Sequence, residues 1–365
     1  MIKKNLSDQI SWIKELKRNV PVFLNNLEEK SLPGFFHYSL SGDIYDKETH
    51  WGLGNTVFAI KIYYTFDLLS KISPQKKEEM ASFIQSFQKN NGIFSDPLVK
   101  RLSLQNRILN CFKKGGFQNL LNNQTELAET RQSLSALKLI KYKPNKQFLM
   151  FPKTREEIEK YLHSLSWNHP WSAGSHFSHL LFFLGNSEIK DKEDLVNFAI
   201  DWVNKIQKEN GAWYQSSTSR QEMINGAMKI ITGLKAAGLS DKINNPQRLI
   251  DLCLDSINDS QACDNFNIIY VLKYASIAAG ENYRLNEIRQ FALRRLEKFK
   301  EFYHPEGGGF SFHRGESNKS YYGAVITKGK AEPDIHGTAL FCWGISIISQ
   351  ILGINDKLGL KEFIA

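Results

Sequence analysis

The sequence predicts an all-α fold, an (α/α)6 toroid of six helical hairpins around a central cavity. Three observations predict it. Six segments share one pattern: a polar group, a small residue, then a long apolar run at helical spacing. Six amphipathic segments with charged faces alternate with them. Several of those end in related glycine–aromatic turns, whereas the period-two alternation and closely spaced turn signals of strands are rare.

Each hairpin pairs an amphipathic outer helix with an apolar inner one. The outer helices are expected at about 8–27, 76–90, 154–166, 192–208, 246–258 and 284–301. In the fourth, Asp194 to Ile206 places apolar residues at i, i+3 and i+4 steps. The inner helices open near Leu53, Thr130, Ser175, Ile224, Asp264 and Ile335 and are apolar nearly all round, as helices lining a shared interior must be. Two connections are long. The stretch 95–125 either wraps the outside or adds a helix, and 305–333, rich in Gly, Ser and Lys, reads as a long loop of the functional kind.

The turns have a physical sense. Gln207 to Trp213 and Gln88 to Phe94 both read Gln-x3-Gly-x-aromatic, with looser copies at Pro33 to Phe36 and His304 to Phe310. Glycine past a helix end takes the left-handed cap conformation. The glutamine bonds exposed end groups, and the aromatic folds back between hairpins. These turns are expected to hold the fold and do no chemistry.

The 365 residues, 42% hydrophobic and 23% charged, are ordinary globular composition and exclude wholesale disorder. They are read as one domain, 1–365. No apolar run is long enough for a transmembrane helix, and the basic start at Lys3-Lys4 lacks the apolar segment of a secretory signal. Cys111, Cys253, Cys263 and Cys342 form no Cys-x-x-Cys pair and are read as reduced, mostly buried thiols of a cytoplasmic protein. The net charge of +9 is scattered in lysine pairs without a zinc finger or arginine-rich tract, so no nucleic-acid partner is expected.

The turn at Gln207 to Trp213 resembles the QW motif of the terpenoid cyclase and protein prenyltransferase superfamily. His304-Pro-Glu-Gly-Gly-Gly-Phe310 is similar to turns of prenyltransferase β subunits. Pro333-Asp-Ile-His-Gly-Thr-Ala-Leu340 resembles the Asp-x-Asp-Asp-Thr-Ala acid motif of class II cyclases, with His336 and Gly337 in place of two aspartates. It is also similar to the Pro-Asp-x-Cys segment of prenyltransferase β subunits, with His336 in place of a zinc-binding cysteine. The resemblance implies a toroid that binds an isoprenoid or related anionic ligand, and the β-subunit version implies a helical partner subunit. An imidazolium, with an ordinary pKa of about 6.5, is a poor acid for an alkene, so the cyclase mechanism is in doubt. Zinc would require Asp334, His336 and a third ligand, for which His50 is the candidate if the sixth inner helix neighbours the first. The other reading of Asp334 and His336 is a hydrogen-bonded pair without metal.

In a toroid the first turns of the inner helices line the mouth. The candidates there are His50, Trp51 and Asn55; Arg131 and Gln132; Trp171, His176 and His179; Arg220, Glu222 and Asn225; Asp264, Asn265 and Asn267; and Asp334 with His336. The loop adds His313, Arg314, Tyr321 and Tyr322. Asp334, His336 and Tyr322 are the candidate catalytic residues, and His50, Trp51, Asn55, Arg131, Trp171, His176, Arg220, Asn225 and Asp264 the candidate binding residues. Three functions fit. Aromatic faces and an Arg131 or Arg220 clamp would suit an isoprenoid diphosphate. Asn and Arg beside a His or Tyr would suit an acidic sugar in a polysaccharide lyase or glycoside hydrolase. A non-catalytic toroid binding a small molecule or oligosaccharide is the third.

Overall fold

The computed structural model describes residues 2–114, 124–280 and 282–365, with the side chains of 2–5 and 106–114 outside that description. The described helices are α1 (Ile2–Leu27), α2 (Leu53–Thr65), α3 (Pro74–Gln85), α4 (Pro97–Lys114), α5 (Gln124–Leu139), α6 (Arg155–Ser164) and α7 (Pro170–Gly185). They continue with α8 (Lys192–Asn204), α9 (Arg220–Ala236), α10 (Pro246–Leu254), α11 (Ala262–Ala278), α12 (Leu285–Lys300), α13 (Ile335–Ile351) and the short α14 (Asn355–Leu358). The expected outer helices are α1, α3, α6, α8, α10 and α12, and the expected inner ones α2, α5, α7, α9, α11 and α13. Among the described residues the protein is all-α apart from four two-residue strands.

Helix starts follow ordinary capping chemistry. Ser73 accepts from Lys76 N with Pro74 at the first helical position, and Thr154 forms a reciprocal box with Glu157. The connection at 95–125 does hold a helix, α4; its residues 115–123 lie outside the described residues. The 305–333 stretch departs from a plain loop. β1 (Tyr303–His304) pairs with β2 (Gly309–Phe310), and β3 (Ser320–Tyr321) with β4 (Ala324–Val325). Two-residue strands are too short to show a period, so the pattern could not announce them. Cys253 and Cys342 are buried free thiols and Cys263 a half-buried one; the Cys111 side chain lies outside the described ones. No helix among the described residues is long and apolar enough to cross a membrane.

The chain divides into two units. Unit 1 comprises Met1–Leu149, Leu296–Ser349 and Gly353–Phe363, and unit 2 Met150–Arg295 with Gln350–Leu352 and Ile364–Ala365. In unit 1, α2 packs on α5 and α3, and β4 on α4. The first and last inner helices meet there, where the His336 ring of α13 stacks on Phe58 of α2 at 4.6 Å. In unit 2 the apolar helices form a row, α7 on α9 and α9 on α11, with α8 against α7 and α10 against α11.

The glycine–aromatic turns share one construction. Gln88 pairs with Phe94, Gln207 with Trp213 and Glu28 with Phe36, each in a single antiparallel bridge, and Tyr303 pairs with Phe310 in the β1–β2 hairpin. Gln88 Nε2 donates to Gly92 O at 3.1 Å and Lys146 O at 2.7 Å; Gln207 Nε2 donates to Gly211 O at 2.8 Å and Asn244 O at 2.7 Å. Gly211 sits at φ 82, and a Cβ there would lie 2.8 Å from Leu249 Cγ and 2.9 Å from its N. Each glutamine therefore ties its own turn to the next connection.

Gln207→Ala should cost about 1–2 kcal/mol, since it leaves two carbonyls without a donor. Gly211→Ala should cost more, about 2–4 kcal/mol, because strain and overlap add. Urea denaturation of both variants checks the order; equal stability to the parent protein would show that the turns are dispensable.

Candidate functional site

Asp334 precedes α13 and is wholly buried. Its Oδ1 accepts from Gly337 N at 2.7 Å, and Oδ2 from Phe312 N at 2.7 Å and Asn318 N at 3.0 Å. The carboxylate thus caps its own helix and gathers the 312–318 segment onto it. Ser39 pairs with Asp334 across one antiparallel bridge, and Ile335 N donates to Tyr38 O at 2.9 Å. Burial pushes the Asp334 carboxyl up to about 7, against the pull of these backbone donors. Gly337 permits the approach, because a Cβ there would lie 2.5 Å from Phe312 N.

His336, the second residue of α13, is half-buried. Its ring stacks on Phe58 at 4.6 Å, tilts against Phe312 at 4.9 Å and meets Tyr321 edge-on at 5.8 Å. Its Nδ1 lies 3.3 Å from Tyr38 Oη, which accepts from Asn318 Nδ2 at 3.2 Å. Phe58 and Leu340, four residues on from His336, are half-buried too, although they stand on apolar helices. The accessible face here is therefore aromatic and aliphatic around one imidazole.

Tyr321 enters this cluster from the β3–β4 hairpin, whose two-residue turn is Tyr322-Gly323, at φ 47 and φ 80. Such turns need positive φ at both positions, which a tyrosine adopts only with strain. Tyr322, 39% exposed, tilts against Tyr321 at 4.4 Å. The Tyr321 hydroxyl lies 2.8 Å from where a Cβ on Gly54 would stand, so the small residue of this inner helix makes room for it. Burial raises the Tyr321 phenol, helped by Tyr322 and by Glu129.

Glu129 and Asp96 complete the polar part of unit 1. Asp96 Oδ1 accepts from Leu98 N and Val99 N at 3.1 Å each, capping α4, while Oδ2 accepts from Gly52 N at 2.7 Å and Leu53 N at 3.2 Å, capping α2. Asp96 N donates to Glu129 Oε2 at 3.1 Å. Burial raises both carboxyls, Glu129 strongly, with the Asp96 charge as the second cause for Glu129.

The remaining candidates of unit 1 are engaged elsewhere. His50 is exposed, with its ring 4.2 Å from Phe87 and Nε2 3.4 Å from Ser86 Oγ. It therefore does not serve as a third ligand beside Asp334 and His336. Among the described residues no three His, Cys, Asp or Glu side chains are grouped to hold a metal ion. Trp51 is core, its Nε1 donating to Asp46 O at 2.9 Å, and Asn55 Nδ2 donates to Phe36 O at 2.9 Å. Arg131 is buried, and Gln132 accepts from Lys61 Nζ. Arg314 pairs with Glu301 at 2.9 Å, and the His313 ring lies 5.0 Å from Phe312.

In unit 2, Asp264 is fully buried and accepts from Gln221 Nε2 at 2.7 Å, Asn225 Nδ2 at 3.1 Å and the Ser260 hydroxyl. Asn225 Oδ1 accepts in turn from Asn267 Nδ2 at 2.8 Å and Asn258 Nδ2 at 3.3 Å, and Asn265 Oδ1 from Arg295 Nη1 at 2.9 Å. These candidate binding groups are spent on one another. His176 faces Tyr161 Oη at 3.1 Å and the His179 ring at 6.2 Å, and burial holds it neutral, down to about 4. Glu222 accepts from the N–H of half-buried Trp171, and burial raises its carboxyl. Arg220 donates to Asp255 O at 2.6 Å and borders an open cleft of about 700 Å³ with Arg248, Asp251 and Asn210.

Sequence reading missed Glu129, Asp96, Phe58 and Tyr38. Ser95-Asp96-Pro97 is a legible helix-start signal. Glu129 lay just ahead of Thr130, where the inner helix was expected to open, whereas α5 begins at Gln124.

The sequence matches no protein-family model and no curated protein. Three solved structures are similar along nearly their whole length. A protein from Actinoplanes has 10% identity and a TM-score of 0.45, over 92% of this chain and 98% of its own. A glycosidase variant has 12% and 0.44, over 95% and 99%. A type II terpene cyclase from Scytonema, bound to its product merosterolic acid A, has 12% and 0.44, over 98% and 99%. Likeness at this level assigns no activity.

Two predictions test the geometry. Gly54→Ala should displace the Tyr321 hydroxyl and cost about 1–3 kcal/mol; an unchanged thermal midpoint would show that the ring does not rest there. His176 has its folded pKa below its unfolded one, so its contribution is present above about 6.5 and lost as pH falls toward 4. The stability of the parent protein relative to His176→Phe should therefore fall by about 3 kcal/mol between pH 7 and pH 4. A difference that stays flat across that window, measured by denaturation at each pH, would show that His176 is not held neutral.

Proposed function

We propose that the protein is an enzyme of the terpenoid-cyclase or prenyltransferase kind, that its helix pairs close into the toroid, and that unit 1 binds an isoprenoid chain against α2 and α13. The supporting observation is the half-buried imidazole of His336, walled by Phe58, Phe312 and Tyr321 and held by Tyr38. Aromatic faces attract an apolar chain and stabilise positive charge developing on it. In this reading His336 takes or returns a proton at the ligand. Asp334 fixes the helix start, since both its oxygens are already occupied by backbone N–H groups. Tyr322 stands at the rim on its strained turn.

The competing reading, an acidic-sugar lyase or hydrolase, would use the open cleft bordered by Arg220 and Arg248, since Asp264, Asn225, Asn258 and Asn267 are bonded to one another.

Calorimetric titration with farnesol separates the two. Binding is expected, with Phe58→Ala weakening it about tenfold or more, corresponding to the loss of about 1.4 kcal/mol of ring contact. No binding of farnesol, together with binding of an oligouronate, would overturn the isoprenoid reading in favour of the sugar one. Farnesol bound equally by both proteins would remove Phe58 from the site.

A further inference from the structure

We propose that Glu129, as a neutral carboxylic acid, is the group in unit 1 that recognises an oxygen atom on an apolar ligand, an alcohol, ether or epoxide oxygen rather than an anion. The inference rests on the isoprenoid reading for the nature of the ligand, but the residue assignment stands on its own geometry. Glu129 is 2% exposed, and only Oε2 is engaged, by Asp96 N at 3.1 Å. Oε1 is enclosed and meets no hydrogen-bond partner among the described residues. Two further enclosed oxygens share that state: Ser133 Oγ, four residues on along the same face of α5, and Ser95 Oγ, adjacent to Asp96 in the chain. A buried carboxyl oxygen without a partner is costly in a folded interior, and a ligand atom that bonds it removes that cost.

The surroundings also bear on where the proton sits. Burial, and after it the Asp96 charge, favour the protonated form of Glu129. Asp96 accepts four backbone N–H bonds, which support its negative charge. Glu129 accepts one, so the proton rests on Glu129, and because Oε2 is an acceptor it rests on Oε1. The nearby charges of Glu126 and Lys89 act on Glu129 in opposite senses and rank below Asp96. An O–H that meets no acceptor among the described residues is a donor available to a ligand oxygen. Tyr321 connects this donor to the aromatic wall: its hydroxyl rests over Gly54, in the turn that Asp96 caps, and its ring meets His336 edge-on at 5.8 Å. A ligand whose chain lies along Phe58 and His336 and whose oxygen reaches Glu129 would use both.

Two measurements test this on the full-length protein. Infrared difference spectroscopy at pH 7 should show a protonated carboxylic-acid carbonyl band that Glu129→Gln removes; identical spectra would overturn the assignment of the proton to Glu129. Calorimetry with farnesol and with farnesene, a chain of the same kind without oxygen, should give at least about a tenfold preference for farnesol. Glu129→Leu should abolish that preference while farnesene binding persists, and Glu129→Gln, whose amide still donates, should keep part of it. A preference that survives in Glu129→Leu would overturn the proposal. Failure of the parent protein to bind either probe would instead overturn the isoprenoid reading and the ligand class assigned here, while the infrared band would still decide the state of Glu129.

Discussion

A carboxylate withdrawn from water must be given hydrogen-bond donors, and in unit 1 the arrangement of the candidate site follows from how Asp334 is given them. Its three short bonds come from the first turn of α13 and from residues 312 and 318 of the preceding segment. Asn318, so placed, donates to Tyr38, and Tyr38 faces His336. Ser39 and Tyr38 are in turn bridged to residues 334 and 335 through the backbone. One buried side chain therefore ties the 312–318 segment to the start of α13, and Asn318 and the backbone tie both to residues 38–39. Removing it would leave three buried N–H groups without an acceptor, each worth about 1–3 kcal/mol. That is a structural role, and it explains why an aspartate beside a histidine in a chemically suggestive motif need not be the reacting group.

Asp96 repeats the device and Asp264 varies it. Asp96 caps two helices at once, α2 and α4, through four backbone donors, whereas Asp264 collects side-chain donors from Gln221, Asn225 and Ser260. All three carboxyls end with their oxygens occupied. The contrast with Glu129 is physical rather than positional: it is equally enclosed and lies on an inner helix, yet one of its oxygens has no partner among the described residues. Counting donors distinguishes these three carboxyls from Glu129, which residue type and spacing alone do not.

The helices were legible because apolar periodicity over three or more turns is a strong signal, and all six inner runs and six outer faces correspond to helices. The turns were legible because glycine at positive φ has few substitutes, and Gln88 and Gln207 do bond the end carbonyls as their position suggests. The site was legible only in part. Asp334 and His336 stood out as a motif, and their helix does meet α2, but His50, close to α2 in sequence, turns toward Phe87. Phe58 looked like one more apolar residue of its run; only the stack on His336 and its residual accessibility distinguish it. Tyr322 was noticed for its chemistry, while its distinguishing feature is a backbone angle that no sequence pattern prints.

The acid strengths constrain what chemistry this architecture can support. A carboxyl raised by burial holds its proton more tightly, so Glu129 and Asp334 are weaker acids than an ordinary carboxylic acid. A weak acid is ill matched to an alkene carbon, whose protonation demands a strong one. It is better matched to an oxygen, to which its O–H can donate a hydrogen bond. Aromatic walls around His336 suit an apolar chain and any positive charge that develops on it. In the proposed reading, a protonated Glu129 suits an oxygen carried by such a chain better than an unfunctionalised hydrocarbon.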